Sequence, residues 1–337
     1  MLLSYAWTAT GNRQESVPLI HPRRAAESTN PGNENMKAMI LAAGFGTRLW
    51  PLTASVPKPL VPVANVPLID RIISHLAVFG VKSLVINAHH RHRQLTEHFA
   101  GVQVFGLPVE VRVEEEILGT GGGIKNTEDF WDDEAFVAVN GDILTNIDIA
   151  SAVEWHRSHG GLATLVLHDY GQFNKIVVDG ESMVRRIPTN YDPGRKGVFA
   201  FTGIQVLEPA LLQYIAPGCY SNIMDCYRRL IAQGIKIGAC LVSGHRWCDV
   251  GTVPAYLRAN LETSEAERRL VGKDCTIASG ARIEGRAILG NGVVLEEGAR
   301  VADSVIWDGV TVCEGVSITG SVVTSGRVAS DLRNQAV

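Results

Sequence analysis

The sequence predicts an α/β protein: a mixed, mostly parallel sheet with flanking helices, followed by a short parallel β-helix. Three observations predict it. An almost unbroken apolar run, Ala38 to Ala43, leads straight into Gly44-Phe45-Gly46. That is the pattern of a strand buried on both faces and ending in a glycine turn. Similar runs alternate with segments of helical periodicity, the order that builds a parallel sheet with right-handed crossovers. From Val271 the apolar period changes to six, with glycines between the apolar positions, which is the repeat of a parallel β-helix.

Composition bounds the answer. A chain of 337 residues has room for about two domains. With 46% apolar and 20% charged residues it can bury a core. Lys plus Arg number 31 against 35 Asp plus Glu, a net charge of −4. That balance speaks against nucleic-acid binding, which calls for a basic surplus. Six cysteines occur without a C-x-x-C pair. Free thiols, a reducing and cytoplasmic setting, and no zinc site are therefore expected. No apolar run approaches the roughly 18 residues of a membrane span. Residues 28–35 read STNPGNEN, turn and linker composition. Residues 1–35 are accordingly expected to be a disordered leader, with Met36 an alternative start. The remaining boundaries are an α/β domain over 36–262, a linker over 263–270 and a β-helix over 271–330.

Taken in order, Met36–Ala43 is the first strand. In the loop after it, glycines let backbone N–H groups approach anionic oxygens. The loop fits neither the dinucleotide fingerprint, because Leu49 stands where a third glycine belongs, nor the Walker pattern. Arg48 adds a fork of donors, and Pro57-Lys58-Pro59 holds one lysine between two rigid residues. Together they predict a site for a phosphate chain. Ile69, Ile72, Ile73, Leu76 and Ala77 mark a helix through Phe79, and Val81–Asn87 a second buried strand. His89-His90-Arg91-His92 and His98 lack a carboxylate or cysteine at ligand spacing. They are expected on a solvated loop and on the helix ending at Phe99. A second glycine cluster follows, Glu114-Glu115-Glu116-Ile117-Leu118-Gly119-Thr120-Gly121-Gly122-Gly123.

Phe136–Asn140 is a third buried strand, ending in Gly141-Asp142. A carboxylate just past the carboxyl end of a parallel strand is well placed for a ligand or metal. One carboxylate holds Mg²⁺ weakly, and a second candidate stands in Trp247-Cys248-Asp249-Val250-Gly251-Thr252. The hexad positions are Val271, Ile277, Ile283, Leu289, Leu295 and Val301, then Ile306, Val312 and Ile318 after one slip. Three hexads make a coil, so about three coils are expected.

Leu41-Ala42-Ala43-Gly44-Phe45-Gly46-Thr47-Arg48-Leu49, Pro51-Leu52-Thr53 and Pro57-Lys58-Pro59-Leu60 together resemble the signature of the sugar-1-phosphate nucleotidylyltransferases. The resemblance runs in order from Met36 to about Ala259. It implies a Rossmann-like catalytic domain and transfer of a nucleoside monophosphate from an NTP to a sugar 1-phosphate, with release of pyrophosphate. Such enzymes supply cell-envelope and polysaccharide precursors. It further implies catalytic roles for Arg48, Lys58, Asp142 and Asp249, the two carboxylates holding Mg²⁺ or, in its place, Mn²⁺. Leu41, Ala42, Ala43, Gly44, Gly46, Thr47, Glu114, Gly119, Thr120, Gly121 and Gly122 would bind the nucleotide. Asn140, Gly141 and Gly203 would bind the sugar. The E-x-E-x-L-G-T-G form is similar to mannose-1-phosphate guanylyltransferases, with Glu114 accepting from guanine. GTP is therefore favoured over UTP. The Glu-Lys-Pro of many members is missing around Arg185-Arg186-Ile187-Pro188, which favours an amino-sugar uridylyltransferase instead; Arg195 or Lys196 would have to supply the charge. The repeat resembles left-handed β-helices and implies a homo-oligomer. A β-helix acetyltransferase is the contrasting reading, but no histidine follows His245 to act as base. A non-catalytic scaffold is a third, opposed by the intact set of charged residues.

Overall fold

The computed structural model describes residues 35–189, 197–263 and 269–337. The expected leader (apart from its last residue), Arg195, Lys196 and most of the 263–270 linker lie outside them. The described residues form two compact bodies. One holds residues 35–45 together with the described residues of 72–247; the other holds Gly46–Arg71 together with the described residues of 248–337. This division differs from the sequence boundary at 262, and the glycine loop itself passes from one body to the other.

The first body is built on a sheet whose strands are β1 (Lys37–Leu41), β2 (Ser83–Ala88), β3 (Val109–Val113), β4 (Phe136–Asn140), β5 (Ala163–His168), β6 (Ile176–Val178), β7 (Val184–Arg186), β8 (Val198–Leu207) and β9 (Ile237–Leu241). Its main order is β7-β6-β8-β4-β1-β2-β3, with β5 paired to β8 and β9. β1 lies between β2 and β4, parallel to both. That position explains why Ala38, Met39 and Ile40 are all fully buried. Antiparallel pairing enters with β8, which runs antiparallel to β4, β5 and β6, and with β7, which runs antiparallel to β6.

Among the described residues six α-helices punctuate the chain: α1 (Leu68–Val78), α2 (His92–Phe99), α3 (Gly119–Lys125), α4 (Ile149–His159), α5 (Ile223–Ala232) and α6 (Val253–Thr263). Caps start two of them. The Asp148 carboxylate accepts from Ser151 N at 2.9 Å, and the Asn222 side chain accepts from Met224 N at 2.9 Å. Such caps satisfy donors that have no partner inside the helix. α1 buries Ile72, Ile73 and Leu76, as its spacing predicts. Met39, Ile124, Phe136, Leu165 and Tyr227 belong to the main core. The buried Tyr227 hydroxyl donates to Gln205 Oε1 at 2.6 Å.

In the second body the hexads stack as parallel ladders. Ile277 pairs with Leu295, Leu295 with Val312, and Val312 with Val328. Leu289, Leu295, Val301, Ile306, Val312 and Ile318 are all fully buried. The first two hexad positions differ: Val271 and Ile277 are exposed, because they stand in the first strand of their ladders with no earlier coil to cover them. Polar ties explain why Gly46–Arg71 belongs here. Tyr256 on α6 donates to Pro62 O at 2.6 Å and accepts from Trp307 Nε1 at 2.9 Å. Asn260 Oδ1 accepts from Ala64 N at 2.8 Å, and Asn65 Nδ2 donates to Leu289 O at 2.7 Å.

Candidate active site

Within the first body the predicted residues gather at the carboxyl ends of β1, β2 and β4. Leu41 O accepts from Gly141 N at 2.9 Å. A Cβ on Gly141 would stand 2.7 Å from that same oxygen, so only glycine lets the turn before Asp142 close against β1. Asp142 follows it, partly exposed. Ala42 N donates to the Asn87 side-chain oxygen at 2.7 Å. Gly44 meets nothing within 4 Å of where a Cβ would be, and it is exposed. Its backbone is open to a ligand.

The second glycine cluster is tied into the fold by its polar groups. Glu114 is only 3% exposed. Its Oε1 accepts from Asn87 Nδ2 at 2.7 Å and its Oε2 from Leu118 N at 3.0 Å. Its carboxylate is thus engaged inside the protein rather than presented to a base. Gly121 N and Gly122 N both donate to Ser221 O, at 2.7 and 3.2 Å. The Thr120 hydroxyl accepts from Ile223 N at 3.0 Å. Gly119 has φ +70°, and a Cβ there would stand 2.7 Å from Ser221 O. The glycines therefore serve close packing of α3 against residues 219–223, and the two amides are not available to a nucleotide.

Of the residues expected to bind the sugar, the structure brings Asn140 and Gly203 together. Gly203 has φ +84° and lies where the β8–β5 register shifts, between Phe201 and Gln205. A Cβ on it would come within 2.8 Å of Ile143 Cγ1 and 3.1 Å of Asn140 Nδ2. Beside them runs an aromatic group that sequence reasoning missed. Trp247 Nε1 donates to Thr202 O at 2.7 Å, and His168, Tyr170 and Phe173 pack around that indole. His168 Nδ1 lies 3.0 Å from His245 Nε2. Burial, reinforced by His245, lowers the His168 pKa to about 4. The signal for this cluster is distributed over strands far apart in sequence, so no local motif announces it. His89 and His90 are partly exposed at the loop before α2. The Phe45 ring meets the His89 ring edge-on at 5.3 Å.

The second body carries the predicted cations. Gly46 has φ +67°, and a Cβ there would lie 3.0 Å from Thr53 Cγ2 and 3.1 Å from Lys58 Cβ. The Thr53 hydroxyl donates to Gly46 O at 3.0 Å. Pro57, with φ −67°, opens the short turn Lys58–Leu60. Thr47 and Arg48 are exposed on the turn before it. A Cβ on Gly251 would come within 2.6 Å of an Asp249 carboxylate oxygen and 2.9 Å of Arg48 Nη2. Gly251 thus leaves open the space that both groups border. Among the described residues no three His, Cys, Asp or Glu side chains gather as a metal cluster. Hard carboxylate donors, supplemented by phosphate oxygens and water, suit Mg²⁺, which seldom takes an all-protein cage. All six cysteines are free thiols. Among the described residues no helix is long and apolar enough to cross a membrane.

A mostly parallel α/β sheet with a glycine loop leaving the end of its central strand defines a class, and the comparisons agree. The chain belongs to the nucleotidyl transferase family, which matches residues 37–266. Residues 254–332 match the GlmU-like C-terminal hexapeptide family. Among individual relatives, the mannose-1-phosphate guanylyltransferase of Mycobacterium tuberculosis is 30% identical over 297 residues, covering 83% of this chain and 82% of that protein. The UTP–glucose-1-phosphate uridylyltransferase of Synechocystis is 28% identical over 323 residues, covering 86% and 82%. A solved Bacillus anthracis structure, described as a glucose-1-phosphate thymidylyltransferase in complex with sucrose, superposes with a TM-score of 0.59 at 25% identity. It covers 68% of this chain and 96% of that one.

Proposed function

We propose that this enzyme transfers GMP from GTP to mannose 1-phosphate, giving GDP-mannose and pyrophosphate. Sugar-1-phosphate nucleotidyl transfer is the activity common to the relatives' names. The observation that carries the finer reading is the similarity to the Mycobacterium tuberculosis guanylyltransferase, which covers 83% of this chain and 82% of that protein. Uridylyl transfer is the second reading. It is favoured by the Synechocystis relative and by the missing Glu-Lys-Pro. Because the Glu114 carboxylate is engaged by Asn87 and Leu118, the choice of base rests on the relatives and not on that side chain.

In this reading an oxygen of the sugar phosphate attacks the α-phosphorus. The bond from that phosphorus to the bridging oxygen breaks, and pyrophosphate leaves with the electron pair. A phosphate monoester is already largely dianionic at neutral pH, so no side chain need remove a proton. Arg48 and the loop amides hold the β- and γ-phosphates, and Lys58 offsets charge at the α-phosphate. Their contribution is positioning and electrostatic stabilisation. Asp142 and Asp249 are the carboxylates assigned to Mg²⁺, which when bound neutralises charge on the phosphate oxygens. The β-helix is read as a self-association module, which sedimentation of the whole chain against a repeat-truncated one would test.

Pyrophosphate release measured with each NTP against a panel of sugar 1-phosphates tests the function directly. The highest kcat/KM is expected for GTP with mannose 1-phosphate; a preference for UTP with an amino-sugar phosphate would install the second reading. Asp142→Ala should keep its circular dichroism and lose at least about 10²-fold in rate, comparable to removal of one electrostatic contact in an active site. Wild-type turnover by that variant would overturn its assignment.

A further inference from the structure

We propose that Asn87 and Glu114 form a buried positioning clasp for the nucleotide, in which Glu114 is a framework carboxylate and does not read the base. The proposal rests on the nucleotidyl-transfer reading and deepens it. Both side chains are almost fully buried, Asn87 at 2% and Glu114 at 3% exposure. Each uses both of its polar ends. Asn87 Oδ1 accepts from Ala42 N at 2.7 Å, and Asn87 Nδ2 donates to Glu114 Oε1 at 2.7 Å. Glu114 Oε2 accepts from Leu118 N at 3.0 Å, at the turn that opens α3. The Glu114 backbone is held as well: its N–H donates to Ala88 O at 2.7 Å, and His89 Nδ1 lies 2.9 Å from its carbonyl oxygen.

Gly123 is shaped to this clasp. A Cβ there would stand 2.6 Å from Asn87 Nδ2 and 2.8 Å from Glu114 Oε1. The clasp also continues toward the chemistry. Ala42 follows Leu41, whose carbonyl accepts from Gly141 N at 2.9 Å, and Gly141 precedes Asp142. One hydrogen-bonded line therefore runs from the turn carrying Asp142, through the end of β1, to the start of α3. It fixes the backbone just before Gly44, where the chain is open to a ligand.

The donor and acceptor pattern supplies a specific test. In Glu114→Gln alone, the new amide must face either the Asn87 amide or Leu118 N–H, donor against donor. In Asn87→Asp alone, two carboxylates meet. In the double variant Asn87→Asp/Glu114→Gln, the carboxylate introduced at position 87 accepts from Ala42 N and from the side-chain amide introduced at position 114. The oxygen of that amide accepts in turn from Leu118 N. All three bonds return with the carboxylate moved to the other residue. Full-length wild type and the three variants are compared by steady-state kinetics, by calorimetric titration with GTP and UTP, and by thermal melting. Each single variant should raise the NTP KM and Kd about 10- to 100-fold, the scale set by a buried unpaired polar group, with a smaller change in kcat. The double variant should return to within about threefold of wild type, with the GTP-to-UTP ratio unchanged. A Glu114→Gln variant that keeps its affinity but moves its preference from GTP to UTP would show a base reader and overturn the proposal. Single variants that melt lower yet bind nucleotide normally, or a folded double variant no better than the singles, would overturn it too. If wild type releases no pyrophosphate with any substrate pair, the transferase reading falls, while the titrations still decide the clasp.

Discussion

Gly123→Ala sets two physical effects against each other. In an exposed helix interior, replacing glycine by alanine stabilises by about 1 kcal/mol. Gly123 is inside α3 and buried, and its missing Cβ is the space between Asn87 Nδ2 and Glu114 Oε1, at 2.6 and 2.8 Å. Neither partner is a loose side-chain end, because Ala42 N holds Asn87 and Leu118 N holds Glu114. The methyl must therefore separate the pair or shift the helix. Losing one buried hydrogen bond costs about 1–3 kcal/mol, and inserting a methyl into packed surroundings costs about 1–3 kcal/mol. Against the helix gain, the expected net loss is about 1–5 kcal/mol. For a unit of this size each kcal/mol moves the melting temperature by about 2–4 °C, so a fall of roughly 2–20 °C is expected. Differential scanning calorimetry on wild type and variant measures it. An unchanged or raised Tm would mean that the clasp yields without cost, and the reasoning would be refuted.

Other expectations follow from single sites. Gly44→Ala meets no protein atom within 4 Å, so its Tm should stay within about 2 °C of wild type, since surface changes usually stay within about ±0.5 kcal/mol; its KM for NTP should rise, and normal kinetics would remove Gly44 from the phosphate site. Tyr256→Phe strips the hydroxyl shared by Pro62 O and Trp307 Nε1 and should cost about 1–3 kcal/mol in a denaturant titration; a neutral result would deny that this tie holds the second body together. His75 and His168 both have pKa values lowered to about 4, chiefly by burial. The unfolded chain therefore takes up these protons first, and stability falls as pH drops from about 6.5 to about 4. Melting at pH 5 should lie below melting at pH 7.5, and His75→Leu or His168→Leu should flatten that difference; an unaltered slope in both would place the titration elsewhere.

Much of this protein was legible locally. Strand β1 declared itself because a central parallel strand must be apolar on both faces, and Ala38, Met39 and Ile40 are. The β-helix declared itself because each coil repeats the inward position every six residues, which Leu289, Leu295 and Val301 preserve. The glycine loop, Arg48, Lys58 and the two acidic turns were visible as ordered motifs. What the sequence did not show was how the second glycine cluster is held within the fold. Gly121 and Gly122 read as nucleotide-binding glycines, yet their amides are taken by Ser221, about a hundred positions away along the chain. Glu114 read as a base acceptor, yet Asn87, an unremarked residue at the end of a strand, holds it.

The sequence by itself determined the strand and helix order, the repeat and the inventory of charged groups, since these depend on periodicity and on neighbours a few residues apart. Only the tertiary structure decided that β8 runs antiparallel, that Gly46–Arg71 joins the second body, and which polar groups remain free to meet a ligand. The physical reason is that a donor or acceptor is available only if nothing in the fold has already satisfied it. Its partner arrives from any distance along the chain.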